Sequence, residues 1–401
     1  MRVGLFSESY PPLINGVSTS VQTLTAQLES AGHEVFVFTS RYPNYKDERA
    51  GVYRYPSVNA LVEPDYVVPV PFSPAITHAI ATLKLDIVHS QSPFFLGLVA
   101  RRSARALGLP HVATNHTLYT EYAHYLPLPT VGVTRQILIR WMQKFYNSCD
   151  RVLAPSELTR RVLTDRCGVR TPISVVPTAI PAPPYILARP TETRQEFGLP
   201  SDARVLLYVG RLAPEKNLEL LLWAFALISA KTSDTYLVLA GSGKSRRALE
   251  AQARTLGIHR RTRFAGFLSR TKLDPLYQAS DLFLFPSKTE TQGLAVGEAL
   301  AASLPCIVVN AGGAPEAIRG GIDGYLVDDR AEAMAARALE LLADPAKHRA
   351  MAEEAKRGAA TRVPEAVGGR IIRIYEELIA AHRDAEPQKQ PRQDSRGERG
   401  E

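Results

Sequence analysis

Short apolar runs alternate with segments of helical period along these 401 residues, and the alternation falls into two consecutive sets. A proline-rich stretch, Ala179-Ile180-Pro181-Ala182-Pro183-Pro184-Tyr185, separates the two. Strand, helix and strand in succession build a parallel sheet covered on both faces, so the pattern predicts an α/β protein of two Rossmann-like, doubly wound domains facing across a cleft. The length agrees, being more than one core usually serves. We place the first domain at residues 1–180 and the second at 186–363.

In the first set, Arg2–Ser7 reads as a strand and Ser18–Ser30 as the helix behind it, joined by Tyr10-Pro11-Pro12-Leu13-Ile14-Asn15-Gly16-Val17. Gly16 admits positive φ or close backbone approach to a ligand, and the helix N-terminus behind it favours an anion; a purely structural Asn-Gly turn would read the same way. The loop lacks G-x-G-x-x-G spacing, so a dinucleotide is not indicated. Strands follow at Glu34–Thr39, Asp86–Ser90, His111–Asn115, Val152–Pro155 and Ile173–Pro177, with helices at Phe94–Leu107 and Val131–Ser148. The second set opens with Val205–Val209 and runs through Thr235–Ala240, Thr262–Ala265, Leu282–Phe285 and Cys306–Val309. Residues 364–383 read as a closing helix able to cross back onto the first domain, and 384–401 as a disordered polar tail.

Composition narrows the function classes. The net charge is +8, and residues 101–170 hold almost all of it, with eleven Lys or Arg against four Asp or Glu. Neither a helix-turn-helix pattern nor aromatic RNA-binding strands accompany that charge, so no nucleic-acid partner is expected. No apolar run approaches the roughly 18 residues of a membrane span, and the N-terminal apolar run is too short for a signal peptide, so cytoplasmic residence is expected. Cys149, Cys167 and Cys306 lack metal or redox spacing and read as reduced packing residues.

The chemistry centres on Phe285-Pro286-Ser287-Lys288-Thr289-Glu290-Thr291-Gln292-Gly293-Leu294, which leaves a buried strand and enters a helix that carries Glu298. Ligands of open α/β sheets bind outside the carboxyl ends of the strands. There Glu290 can accept hydrogen bonds from sugar hydroxyls, Glu298 can reach a ribose diol, and the amides around Gly293 form a cluster of donors. Each glutamate alone would equally serve as an ordinary helix charge. The loop Gly210-Arg211-Leu212-Ala213-Pro214-Glu215-Lys216-Asn217 adds a planar cation and a mobile one, suited to holding a diphosphate as it leaves. Together the four residues point to a nucleotide-sugar site. No Asp-x-Asp motif occurs, and no essential metal is expected.

These motifs, with Ala240-Gly241-Ser242-Gly243 and Phe264-Ala265-Gly266, resemble those of the retaining glycosyltransferases of family 4, the two-Rossmann-domain GT-B type, over residues 1–383. The resemblance implies that Arg211 and Lys216 bind the donor diphosphate, Glu298 the ribose, and Glu290 with the turn Gln292-Gly293-Leu294 the donor sugar. Gly16 would approach the phosphates from the other domain, and Gly266, Phe267 and Leu268 would border the base. His116 in Thr114-Asn115-His116-Thr117 matches a histidine set beside the donor sugar. Retention would proceed by departure and attack on one face, the leaving phosphate taking the acceptor proton, with no cofactor beyond the nucleotide sugar.

Within the family, Ser7–Val17, His116–Tyr125 (with Tyr119 and Tyr122) and Glu290–Gly293 look most like the diacylglycerol glucosyltransferases, which implies UDP-glucose as donor, diacylglycerol as acceptor and a peripheral place at the inner face of the cell membrane. A helix bearing Arg135, Arg140, Trp141 and Lys144 among aliphatic residues suits an anionic bilayer, and equally a core-packed helix with a charged face. A family member with a soluble or saccharide acceptor, and a non-catalytic nucleotide-sugar-binding protein, stay open as alternatives.

Overall fold

The computed structural model describes residues 1–59, 67–119, 131–180 and 190–385, and is built on two parallel sheets. The first half carries β1 (Arg2–Phe6), β2 (Glu34–Ser40), β3 (Val52–Tyr55), β4 (Ser57–Asn59), β5 (Val67–Pro69), β6 (Ile87–Ser90), β7 (His111–Thr114), β8 (Arg151–Ala154) and β9 (Ile173–Val175). Seven of these make a sheet ordered β3-β2-β1-β6-β7-β8-β9, while β4 and β5 pair antiparallel on their own. The second half carries β10 (Arg204–Val209), β11 (Thr235–Ala240), β12 (Thr262–Gly266), β13 (Leu282–Phe285), β14 (Cys306–Val309) and β15 (Gly324–Val327), ordered β12-β11-β10-β13-β14-β15. Helices cover both faces, which is why central strands such as Leu282-Phe283-Leu284-Phe285 are apolar at every position and buried throughout.

Each order reverses once, between β1 and β6 in the first sheet and between β10 and β13 in the second. At such a reversal neighbouring loops leave in opposite directions and open a crevice, so topology alone fixes two places for ligands. The expected strands are present to within about two residues at their ends. β3, the β4–β5 pair and β15 go beyond them: β3 interrupts its apolar run with Arg54, and β15 follows the turn-rich Gly320-Gly321-Ile322-Asp323.

The last helix, Pro364–Ala385, buries Val367, Ile371, Tyr375 and Leu378 against Val3, Leu5 and Val21 of the first domain. The Tyr375 hydroxyl and Thr114 Oγ1 hydrogen-bond with the two ring nitrogens of His89, at 2.6 and 2.7 Å. All three cysteines are buried and free. No helix among the described residues is long and apolar enough to cross a membrane. The proline-rich stretch from residue 181 to 185 and the tail from 386 lie outside the described residues, as does Tyr122.

Candidate active site

The reversal in the second sheet sets the loop after β10 against the loop after β13. Lys216, buried on the short turn Pro214–Lys216, places its Nζ 2.6 Å from Glu290 Oε1. Ser287 Oγ donates to the same oxygen at 2.9 Å. Withdrawing both charges from water is costly, and the close opposite charge with the extra hydrogen bond offsets that cost. Asn217, in the left-handed region at φ 58°, ties the loops further by donating to the Pro286 carbonyl at 3.2 Å and to Asp329 Oδ1 at 2.7 Å. Arg211 stands at the mouth, its side chain 57% exposed, and pairs with Glu215 at 2.8 Å. The two cations expected to act together therefore have different partners.

Gly293, at φ 76°, turns the chain into the helix Leu294–Ala301, and a Cβ there would lie 2.8 Å from Ala314 Cβ. No side chain of Gly293 caps this helix, which leaves its first N–H groups available to an anion. Gly16 is the first residue of the helix Gly16–Ser30, and a Cβ on it would lie 3.1 Å from Leu294 Cδ1. Two helix N-termini, one from each domain, thus meet at the cleft.

Glu298 lies one turn along the helix Leu294–Ala301. Its Oε1 accepts from Arg270 at 2.7 Å and its Oε2 from the Tyr277 hydroxyl at 2.9 Å. Burial pushes its carboxyl above the usual carboxylate range, against the pull of Arg270 and Tyr277. Gly266 ends β12 at φ 73°, followed by Phe267, 58% exposed, and Leu268, packed on the domain core. The sequence reading missed Arg270; its signal was an arginine four residues before Asp274, to which it is also paired at 2.7 Å.

The turn 290–293 also holds the domains together. Thr291 Oγ1 donates to the His116 carbonyl at 3.1 Å, and the Gln292 side chain accepts from Thr178 N at 2.7 Å and donates to Thr178 O at 3.2 Å. Glu316 accepts from the amides of Glu157 and Leu158, both at 2.7 Å, and so caps a helix of the opposite domain. His116 Nε2 donates to Gln91 Oε1 at 2.8 Å, and burial pushes its imidazole down to about 4, which leaves it neutral near pH 7.

Tyr119 packs edge-on against Phe94 with ring centres 5.0 Å apart. On the helix Val131–Tyr146, Arg140 and Lys144 are exposed, as are Val133 and Ile137, so one face carries both cations and aliphatic side chains. Trp141 turns inward instead, its indole N–H donating to the Pro93 carbonyl at 2.9 Å, and Arg135 is half-buried.

Comparison with known proteins agrees with this architecture. Residues 14–182 match the family described as Glycosyltransferase Family 4, and residues 190–358 that described as Glycosyl transferases group 1. The α-monoglucosyldiacylglycerol synthase of Streptococcus pneumoniae is 34% identical over 77% of this chain and 70% of its own. The chain belongs to the family 4 glycosyltransferases of GT-B type. Another member, the α-monoglucosyldiacylglycerol synthase of Acholeplasma laidlawii, is 30% identical over 77% of this chain and 80% of its own. The GDP-mannose-dependent α-mannosyltransferase of Corynebacterium glutamicum is 29% identical over 95% and 90%. Among solved structures, sucrose-phosphate synthase from Thermosynechococcus elongatus superposes with a TM-score of 0.77 at 22% identity, over 95% of this chain and 99% of that one. Anabaena HepE in complex with UDP and glucose does so at 0.75 and 18%, over 94% and 100%. These likenesses carry the fold.

Proposed function

We propose that this glycosyltransferase moves glucose from UDP-glucose onto the hydroxyl of diacylglycerol at the cytoplasmic face of the membrane, with retention and without a metal. The observation that carries the reading is the 34% identity to the pneumococcal α-monoglucosyldiacylglycerol synthase. The donor diphosphate lies between the helix N-termini that meet at Gly16 and Leu294, and Lys216 and Arg211 stabilise its charge as it departs, the task a divalent cation performs in other transferases. Glu290 orients the hexose beside neutral His116, Glu298 takes the ribose, and Phe267 borders the base. Same-face departure lets the leaving phosphate accept the proton of the incoming hydroxyl, so no separate base is required. The exposed face of Val133, Ile137, Arg140 and Lys144 supports a peripheral membrane seat, because cations draw it to anionic lipid while aliphatic side chains enter the interface.

A second reading, mannosyl transfer from GDP-mannose, is favoured by the Corynebacterium relative, whose likeness spans 95% of this chain. A donor screen separates the two: UDP-glucose, UDP-galactose and GDP-mannose, each offered with diacylglycerol in anionic vesicles and with soluble acceptors, all in EDTA. The expected product is α-glucosyl diacylglycerol, with the donor's anomeric configuration seen by NMR. Transfer from GDP-mannose alone establishes the second reading, and product confined to soluble acceptors removes the lipid. Neutralising both Arg140 and Lys144 to Gln is expected to weaken vesicle binding by about 30-fold, at about 1 kcal/mol per cation, while leaving transfer to detergent-dispersed acceptor intact; equal loss of both removes the membrane seat.

A further inference from the structure

The reversal of the first sheet has a cavity of its own. Loops leaving the carboxyl ends of β1 and β6 enclose about 470 Å³. Its polar lining includes Glu8, Asn15, Gln91, Ser92 and Thr117, and its apolar lining includes Val67, Val68, Phe94, Phe95 and Tyr119. No Lys or Arg lines it among the described residues, and residues 60–66 and 120–130, which adjoin Val67 and Tyr119 in the chain, contain neither.

Glu8 is held by neutral donors. Ser92 Oγ donates to its Oε2 at 2.6 Å and the Leu96 amide to its Oε1 at 2.8 Å, so Glu8 caps the helix Phe95–Leu107, whose own N-cap Phe94 offers no side-chain acceptor. Each carboxylate oxygen keeps a further lone pair. Gln91 is 3% exposed, with its Oε1 occupied by His116 and its Nε2 lacking an acceptor among the described residues. A buried N–H without an acceptor is costly, and among the described residues the Gln91 side chain is held in place only through its Oε1.

We infer that this cavity is the acceptor subsite and that Glu8 sets its class: an uncharged alcohol on an apolar body, whose hydroxyl donates to Glu8. The inference rests on the transferase reading above and narrows it. An acceptor carrying phosphate would set a second negative charge beside Glu8 with no Lys or Arg among the described residues lining the cavity, so phosphorylated acceptors are excluded by repulsion and lost hydration. The hydrogen bond from His116 to Gln91 and the one from Thr291 to the His116 carbonyl join this subsite to the donor turn.

The test compares wild type with Glu8→Gln, which keeps the shape and removes the charge, on dioctanoylglycerol, on lysophosphatidate (a free hydroxyl beside a phosphate) and on an uncharged soluble sugar. Wild type is expected to use dioctanoylglycerol and neither to use nor to be inhibited by lysophosphatidate. Glu8→Gln is expected to raise the dioctanoylglycerol KM about tenfold, as for one hydrogen bond to a charged group, to admit lysophosphatidate as a competitor, and to keep kcat and UDP affinity. An unchanged KM in a variant that still binds UDP reduces Glu8 to a helix cap and overturns the inference, as does use of lysophosphatidate by wild type. If wild type refuses the lipid yet glycosylates the uncharged sugar with a Glu8-dependent KM, the diacylglycerol reading and the apolar half of this inference fall, and selection of an uncharged hydroxyl by Glu8 stands. If the lipid is glycosylated with no dependence on Glu8, the reverse holds.

Discussion

The two sheets reverse direction at equivalent points, and at each point the diverging loops present a glutamate, yet the two are held in opposite ways. Glu290, at the β10–β13 reversal, is paired with the buried ammonium of Lys216 at 2.6 Å. Glu8, at the β1–β6 reversal, accepts from a hydroxyl and an amide, and burial holds its carboxyl above the usual range. One fold thus supplies two crevices that differ in counter-charge. On the function proposed above, the second domain receives and releases the negative charge of the donor. On the same proposal, the first takes a neutral polar group at the end of an apolar one.

Lys216→Ala and Glu290→Ala probe that division most strongly. Each removes a group expected to act on the departing diphosphate or the hexose, and kcat is expected to fall about 10²- to 10³-fold, the range for losing one preorganised electrostatic contact. The double variant is expected to be little worse than the poorer single one, since the two side chains act as a unit. Steady-state kinetics with circular dichroism as a fold control decides it. Full kcat with a raised acceptor KM would place the pair on the acceptor side and dissolve the contrast.

Acid separates the domains by a second route. His111 and His116, both in the first domain, are pushed down by burial to about 4, and His89 beside them also lies well below the ordinary value of 6.5. Because these values are depressed on folding, the unfolded chain takes up protons first as pH falls. Their stabilisation is complete above about 6.5 and is lost progressively down to about 4, at roughly 3 kcal/mol for each of His111 and His116 by that pH. Glu8, raised by burial, works in the other direction, while His33, lowered by burial, and Glu157, lowered by its hydrogen bond with Arg160, add to the loss in acid. Trp141 reports on the first domain through its contact with Pro93, while Trp223 is 54% exposed on the second. In Trp223→Phe the urea midpoint read from Trp141 is expected to fall steeply between pH 6.5 and 4, and His111→Asn to flatten that slope. A flat profile in both would show that these imidazoles titrate alike in folded and unfolded chains.

Most of the fold was legible because buried parallel strands leave uninterrupted apolar runs, as in Leu282–Phe285 and Cys306–Val309. β3 and β15 were not, since an edge strand carrying Arg54 and a short strand after a glycine turn lack that signal. The site divides likewise. Lys216, Glu290, Gly293 and Glu298 sit in local motifs where charge and glycine stand out from their neighbours. Arg270, 28 residues from the Glu298 it pairs with, became visible only when the chain was folded. The polar floor formed by Glu8, Gln91 and Ser92 comes from two loops brought together by strand order, with no spacing to reveal it. Trp141 read as a membrane-facing aromatic because helical period gives a face and not its partner, here the Pro93 carbonyl.

The smallest expected effect lies where the two halves touch. A Cβ on Gly16 would sit 3.1 Å from Leu294 Cδ1, so an added methyl displaces only the end of a flexible side chain. Gly16→Ala is therefore expected to cost little. Gly16→Val puts more bulk against Leu294 and parts the helix N-termini, and overpacking of this kind costs about 1–3 kcal/mol. The loss is expected mainly in kcat, about tenfold, because the donor is still held by the second domain while the amides at Gly16 no longer reach its phosphates. Leu294→Ala opens the same space and is expected to restore most of the rate in the Gly16→Val background while doing little alone. Measuring kcat and UDP affinity across that four-member cycle isolates the coupling between the sides. Additive losses would mean that the contact at Gly16 is incidental and that the domains position donor and acceptor through contacts such as Thr291–His116, Gln292–Thr178 and those of Glu316.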